Sequence, residues 1–129
     1  MFRAPLTKRP SKECLIVEDD VFYLFYNAKD EGKPRWTEQT GLATSRDLVS
    51  WTRHPDNPLI RVKLGAWDSG FCSDPCVVRS GEERMMVYFG NNYRHAQNGI
   101  ALSDDLVTWR KHPEPILPAG SPGELDSIP

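Results

Sequence analysis

Residues Gly41 to Pro55, G-L-A-T-S-R-D-L-V-S-W-T-R-H-P, return from Gly99 as G-I-A-L-S-D-D-L-V-T-W-R-K-H-P, an offset of 58. Nine of the 15 aligned positions are identical. The same offset relates G-A-W-D-S at Gly65 to G-E-L-D-S at Gly123, and Cys14-Leu15-Ile16-Val17 matches Cys76-Val77-Val78-Arg79 with a small gap. A unit this short cannot bury both of its faces alone. A fixed period therefore commits the chain to a repeat architecture in which each unit packs on its neighbours.

The units read as strands. Eleven prolines and nine glycines punctuate short apolar runs, and no long helical stripe appears. Val21-Phe22-Tyr23-Leu24-Phe25-Tyr26 has the aromatic and β-branched chemistry of a strand buried on both faces, and Met85-Met86-Val87-Tyr88-Phe89 is its counterpart. Four strands are expected per repeat: Cys14–Val17, Val21–Asn27, Thr40–Ser45 and Trp51–His54, then Cys76–Arg79, Met85–Phe89, Asn98–Ser103 and Thr108–His112. Asp- and Gly-rich turns join them at Glu18-Asp19-Asp20, Ser80-Gly81-Glu82, Arg46-Asp47 and Asp104-Asp105. Four antiparallel strands followed by a longer connector is the pattern of a β-propeller blade, so the expectation is all-β. The first blade spans about residues 12–60, a connector 61–73, the second blade 74–117, and the opening of a further connector 118–129. Two blades leave two open flanks. Further blades of a longer protein would cover them, or copies of the chain would self-associate through them. The break inside a recognisable repeat unit favours the longer protein.

Charge is balanced, with 16 basic and 18 acidic residues, and no basic run or aromatic-plus-Arg stripe marks a nucleic-acid partner. No apolar stretch approaches the ~20 residues that cross a bilayer, and the first ten residues lack the apolar core of a secretory signal. Three cysteines suit buried thiols in a reducing, cytoplasmic compartment better than a disulfide framework or a zinc site.

Blade topology sorts the loops onto two rims. The connector Arg61–Ser73 and the loop Gly90–Gln97 share one rim, whereas the tight turns Ser80–Glu83 and Asp104–Val107 lie on the other. The repeated S-x-D-L-V-x-W element (Ser45, Asp47, Trp51; Ser103, Asp105, Trp109) falls on the far rim. There Ser and Asp can bind the turn backbone and Trp can pack between strands. His54-Pro55 and His112-Pro113 are likewise copies, and copies serve the blade. The near rim differs between repeats, as a pocket built from unlike blades requires. It carries W-D-S-G-F-C-S-D-P, in which Asp74 precedes the innermost strand and aims at the channel mouth; Lys12 and Glu13 stand at the matching place. A carboxylate converging with an aromatic such as Trp67 suits carbohydrate, whose apolar faces stack and whose hydroxyls donate. Each residue also has a plainer role open to it: Asp74 as an Asx-type strand start, Trp67 as inter-blade packing, and His95 and Asn91-Asn92 as solvated loop residues.

The combination Y-L-F-Y-N-A, G-L-A-T-S-R-D-L-V-S-W, N-P-L-I, W-D-S…S-D-P-C-V-V and Y-F-G…G-I-A-L-S-D-D-L-V-T-W…P-I-L resembles the five-bladed β-propeller glycoside hydrolases, the superfamily of families 43, 32, 68 and 130. The resemblance runs from about Cys14 onward and implies that the chain holds about two of five blades. It implies acid–base cleavage of glycosidic bonds without metal or organic cofactor. Families 43 and 32 use an Asp base or nucleophile, a stabilising Asp and a Glu general acid on separate blades. Asp74, in S-D-P, resembles the stabilising Asp, and Glu13, in K-E-C-L-I-V, resembles the general acid. The order departs from the family's, since the Glu blade should follow the Asp-Pro blade, and no second D-P stands in the first repeat. A full triad is therefore not contained in these residues. A family 130 phosphorylase would also need a basic phosphate site, which the sequence does not display.

Two functions follow. In the first, a glycoside-hydrolase propeller uses Asp74 and Glu13 catalytically while Trp67, Asp68 and His95 hold the sugar. In the second, a non-catalytic carbohydrate-binding or scaffold propeller binds through the same rim without turnover, because fold alone does not establish chemistry.

Overall fold

The computed structural model describes residues 13–29, 32 and 35–116. Eight strands succeed one another: β1 (Cys14–Glu18), β2 (Val21–Lys29), β3 (Glu38–Ser45), β4 (Thr52–Arg53), β5 (Phe71–Ser80), β6 (Glu83–Asn91), β7 (Ala96–Ser103) and β8 (Arg110–Lys111). Within each set of four, every strand pairs antiparallel with the next. A single parallel pairing, Glu38 with Phe71, links β3 to β5 and so joins the two sheets. These are two four-stranded β-propeller blades, and no helix occurs among the described residues. The expected connector at 118–129 lies outside them.

The two blades superimpose in register. Tyr26 pairs with Gly41 across β2 and β3, and Tyr88 pairs with Gly99 across β6 and β7. The β2–β3 loop is thus four residues longer than the β6–β7 loop, which is where the gap in the sequence repeat falls. Each glycine is required by the tyrosine. A Cβ on Gly41 would come within 2.9 Å of the Tyr26 ring, and one on Gly99 within 2.8 Å of Trp67 and closer still to Tyr88.

Several boundaries differ from the sequence expectation. β5 begins at Phe71 rather than Cys76, so it takes the last three residues of the expected connector 61–73. Its register breaks between Ser73 and Cys76, a bulge that hides the strand's first half from an alternation pattern. β4 and β8 contract to two residues each, because the preceding S-x-D turns claim the backbone on their inner side. Ser45 Oγ accepts the N–H groups of Asp47 and Leu48, and Asp47 Oδ1 accepts those of Val49 and Ser50. Ser103 and Asp105 repeat this set with Asp105, Leu106, Val107 and Thr108. Leu48 and Leu106 take the same left-handed backbone, φ 64° and 68°. The backbone donors hold both aspartates below their ordinary acidity range. His54 and His112 likewise each accept a backbone N–H two residues on, from Asp56 and Glu114. The duplicated motifs are turn scaffolding in both blades.

The core fills the seam between the sheets. Phe25, Leu42, Ile60, Cys72, Val77, Met86, Tyr88, Ala101 and Leu106 form one buried cluster. Phe25 of the first blade meets Trp109 of the second edge to face, with centroids 5.7 Å apart. Polar contacts cross the seam too: Thr40 Oγ1 donates to the Cys72 carbonyl, and the Val77 N–H donates to Cys14 Sγ. At the far rim Arg84 pairs with Glu18 through two guanidinium nitrogens, Nε standing 2.9 Å from Oε2.

Gly99→Ala is expected to cost roughly 1–3 kcal/mol through overpacking against Tyr88 and Trp67, read as a lowered urea midpoint at unchanged slope. An unaltered midpoint would mean the rings do not lie over the glycine. Arg84 holds the Glu18 carboxyl below its ordinary value of 4.5. The pair therefore stabilises the fold above that value and its contribution disappears as pH falls through the lower, folded-state value. Glu18→Gln should flatten the acid side of the stability–pH curve, as followed by thermal melts from pH 6 to pH 3.

Candidate carbohydrate site

β5 starts at the near rim, where Phe71 pairs with Asn91, and its bulge between Ser73 and Cys76 shapes the site. Asp74 sits inside the register break with φ 52°, a left-handed backbone that Asp tolerates better than most side chains but not without cost, about 1 kcal/mol or more. Beside it the hydroxyl of Ser73, 1% exposed, has no hydrogen-bond partner among the described residues, a further cost of about 1–3 kcal/mol. The bulge is held by Asn27 on β2, across the seam. Asn27 Nδ2 donates to Asp74 Oδ1 at 2.7 Å, and the Asp74 N–H donates to Asn27 Oδ1 at 2.8 Å. Asp74 thus lies within the strand rather than before it, and its carboxylate is oriented by the other blade.

Asp74 and Glu13 line the same groove, about 590 Å3, with Pro75, Cys76, Phe89 and Asn98 among its walls. The two carboxylates singled out in the sequence are brought together. His95 lines an adjoining cavity of about 560 Å3 with Trp36, Phe71, Phe89, Tyr93 and Arg94. Phe89 lines both, so the acid groove and the aromatic cavity adjoin across its ring. Phe71 meets Phe89 and Tyr93 edge to face at 6.2 Å each, which fixes three rings relative to one another. Lys29 lies 3.6 Å over the Trp36 ring, and Arg35 lies 4.9 Å over that of Tyr93. The Tyr93 hydroxyl reaches the Trp36 carbonyl at 2.9 Å, tying the two near-rim loops together.

Trp67 and Asp68 do not face this groove. Trp67 stacks on Tyr88 at 6.0 Å and donates its Nε1 hydrogen to the Pro113 carbonyl. Asp68 is 2% exposed; its Oδ2 stands 2.6 Å from Lys111 Nζ and accepts the Tyr88 hydroxyl at 3.0 Å. Lys111 also donates to the Arg61 carbonyl, which anchors the connector. Burial and the adjacent carboxylate push the Tyr88 phenol upward, and burial pushes the Cys72 thiol up to about 12. The physical reason is direction along the chain. Trp67 and Asp68 precede β5 by four and three positions and pack against Tyr88 of the second blade before the strand starts at the near rim. Asn27, Trp36, Phe89 and Tyr93 were not singled out in the sequence. For two of them a signal existed, since Asn27 and Phe89 occupy equivalent places in the two blades yet differ. Among the described residues no three His, Cys, Asp or Glu side chains converge as metal ligands.

Residues 19–122 match the glycoside hydrolase family 130 model, described as beta-1,4-mannooligosaccharide phosphorylase. An uncharacterized protein of Mycobacterium tuberculosis strain CDC 1551 is 24% identical over 94 residues, covering 73% of this chain and 30% of the relative. Another, from strain H37Rv, is 32% identical over 63 residues, covering 49% and 21%. Among solved structures, a glycosyl hydrolase from Bacteroides ovatus has a TM-score of 0.67 at 23% identity, covering 80% of this chain and 31% of that one. A family 130 glycoside hydrolase described as targeting β-1,2 mannosidic linkages in Candida mannan has a TM-score of 0.61 at 27% identity, covering 79% and 30%. The family 32 β-fructofuranosidase of Bombyx mori shares the fold, with a TM-score of 0.64 at 22% identity, covering 77% and 21%. The chain spans no more than about a third of the length of each.

Removing Asp68 leaves the Lys111 ammonium facing a buried, unpaired site. Asp68→Ala is therefore expected to destabilise the fold by about 3 kcal/mol, measured by urea unfolding. A variant of unchanged stability would return Asp68 to the list of ligand-contacting residues.

Proposed function

The chain belongs to glycoside hydrolase family 130, the beta-1,4-mannooligosaccharide phosphorylase family, and on that footing we propose that its near rim binds a manno-oligosaccharide for cleavage of a β-mannosidic bond. The observation that carries this reading is that Asp74 and Glu13 line one groove, with an aromatic cavity adjoining it across Phe89. Glycosyl transfer needs a group to protonate or steady the departing oxygen and a negative charge to stabilise the oxocarbenium-like transition state. Carboxylates in a shaped groove supply both. Asp74, whose Oδ1 is already held by Asn27, presents its other oxygen to the reacting sugar. Glu13 exchanges the proton in this reading. Phe89, Trp36 and Tyr93 offer ring faces on which the apolar sides of successive pyranoses can stack, and His95 offers a hydrogen bond at the cavity edge.

Two residues drawn from the sequence take a different part. Trp67 and Asp68 support the groove from beneath, through Tyr88 and Gly90, rather than holding sugar. The departing mannosyl group is passed to water or to phosphate. Arg94, which lines the aromatic cavity, is a cationic candidate for steering a phosphate, with His95 beside it as a hydrogen-bonding partner.

Asp74→Asn should lower turnover of β-1,4-mannotriose by about 10²–10⁴-fold in the intact protein, with the melting temperature within a few degrees of the parent. Unchanged turnover removes Asp74 from the chemistry. Binding of mannotriose by the parent with no turnover would establish the carbohydrate-binding reading instead.

A further inference from the structure

We propose that Asn27 is the positioning residue for Asp74, so that the sugar-facing carboxylate of one blade is set by an amide on the other. The inference rests on the reading of Asp74 as the sugar-contacting group. Its basis is the reciprocal pair of bonds at 2.7 and 2.8 Å between residues 47 positions apart. A primary amide is the side chain that can do this, because it donates from Nδ2 to the carboxylate while accepting the N–H of the same residue on Oδ1. Asp at position 27 would be acceptor-only and would set two carboxylates against each other. Ala would leave both Asp74 groups without this partner.

Three further observations point the same way. Asp74 holds a left-handed backbone within a register break, a conformation that persists where the surroundings fix it. The partner on the seam is what fixes it here. Asp74 Oδ2 takes no hydrogen bond from any described residue, so Asn27 commits one oxygen and leaves the other for a ligand. Finally, the place equivalent to Asn27 in the second blade is Phe89, since Asn27 pairs with Thr40 as Phe89 pairs with Asn98. An amide standing where the other copy has a groove-lining ring is not blade scaffolding, in contrast to the duplicated Ser–Asp turns.

The test uses the chain with three variants, Asn27→Ala, Asp74→Asn and the double. Amide hydrogen exchange at Asp74 should accelerate at least tenfold in Asn27→Ala, while Val77 and Met86 amides keep their parental rates. Affinity for β-1,4-mannotriose, followed by NMR titration, should fall about tenfold in Asn27→Ala and fall no further when that change is added to Asp74→Asn. A structural role alone would make the two losses multiply, and that result overturns the proposal, as does parental exchange at Asp74. A parent chain that fails to bind mannotriose defeats the sugar reading, and the exchange rates still decide whether the clamp exists. Should Asn27→Ala not fold, Asn27→Asp replaces it. Two carboxylates in contact repel at neutral pH and share a proton in acid, so its melting temperature should rise on acidification where that of the parent falls. Parallel pH slopes overturn the proposal.

Discussion

Everything in this molecule depends on the seam between its two sheets. A four-stranded blade two residues wide at its outer edge has too little interior to stand alone, so its stability comes from the face it shares. That face is filled by Phe25 against Trp109 and by the cluster around Met86 and Tyr88. Apolar packing of this kind drives association but discriminates weakly among registers. The polar contacts along the seam supply the discrimination. Glu18 with Arg84 fixes the far rim, Thr40 with the Cys72 carbonyl fixes the middle, and Asn27 with Asp74 fixes the near rim. Any slip of one blade along the other would separate these partners and leave the buried Thr40 hydroxyl without its acceptor.

The repeat made the fold legible. An offset of 58 with identical Gly, Ser, Asp, Leu, Val and Trp positions specified the number of strands, their pairing and the scaffolding part played by the Ser–Asp turns. The same logic singles out Asp74 and Glu13 as candidates, because they break the repeat at the rim where unlike residues are expected. What the sequence withheld is what depends on direction rather than identity. Trp67 and Asp68 look like pocket residues because they adjoin the S-D-P motif, yet a four-residue path carries them beneath the blade to Tyr88 and Lys111. The start of β5 was hidden by its bulge, since a break in alternation reads as a loop. Asn27 was hidden by its company, a polar residue ending an aromatic strand, whose partner lies 47 residues away.

The duplicated side chains and the unlike ones fall on different rims. On the far rim the duplicated Ser–Asp turns satisfy backbone donors of their own turn, a local arrangement that each blade repeats, and the Glu18–Arg84 pair ties the two blades together there. On the near rim the contacts run between blades and between loops: Asn27 to Asp74, Thr37 to Tyr93, Tyr93 to Trp36. Side-chain geometry at the near rim therefore responds to how the blades sit on one another. The buried Asp68–Lys111 pair, with Tyr88 and the Arg61 carbonyl, braces the connector that makes this possible.

The three thiols are unequal in a way that lends itself to use. Cys72 is fully buried with its thiol pushed up to about 12, and burial also raises that of Cys14. Cys76 alone is exposed, and it lines the groove that holds Asp74 and Glu13. An alkylating dye at mildly basic pH will mark Cys76 first. The chain thus carries a built-in attachment point for a fluorophore within the groove proposed to take the sugar, whose surroundings can be followed optically without introducing a single new residue.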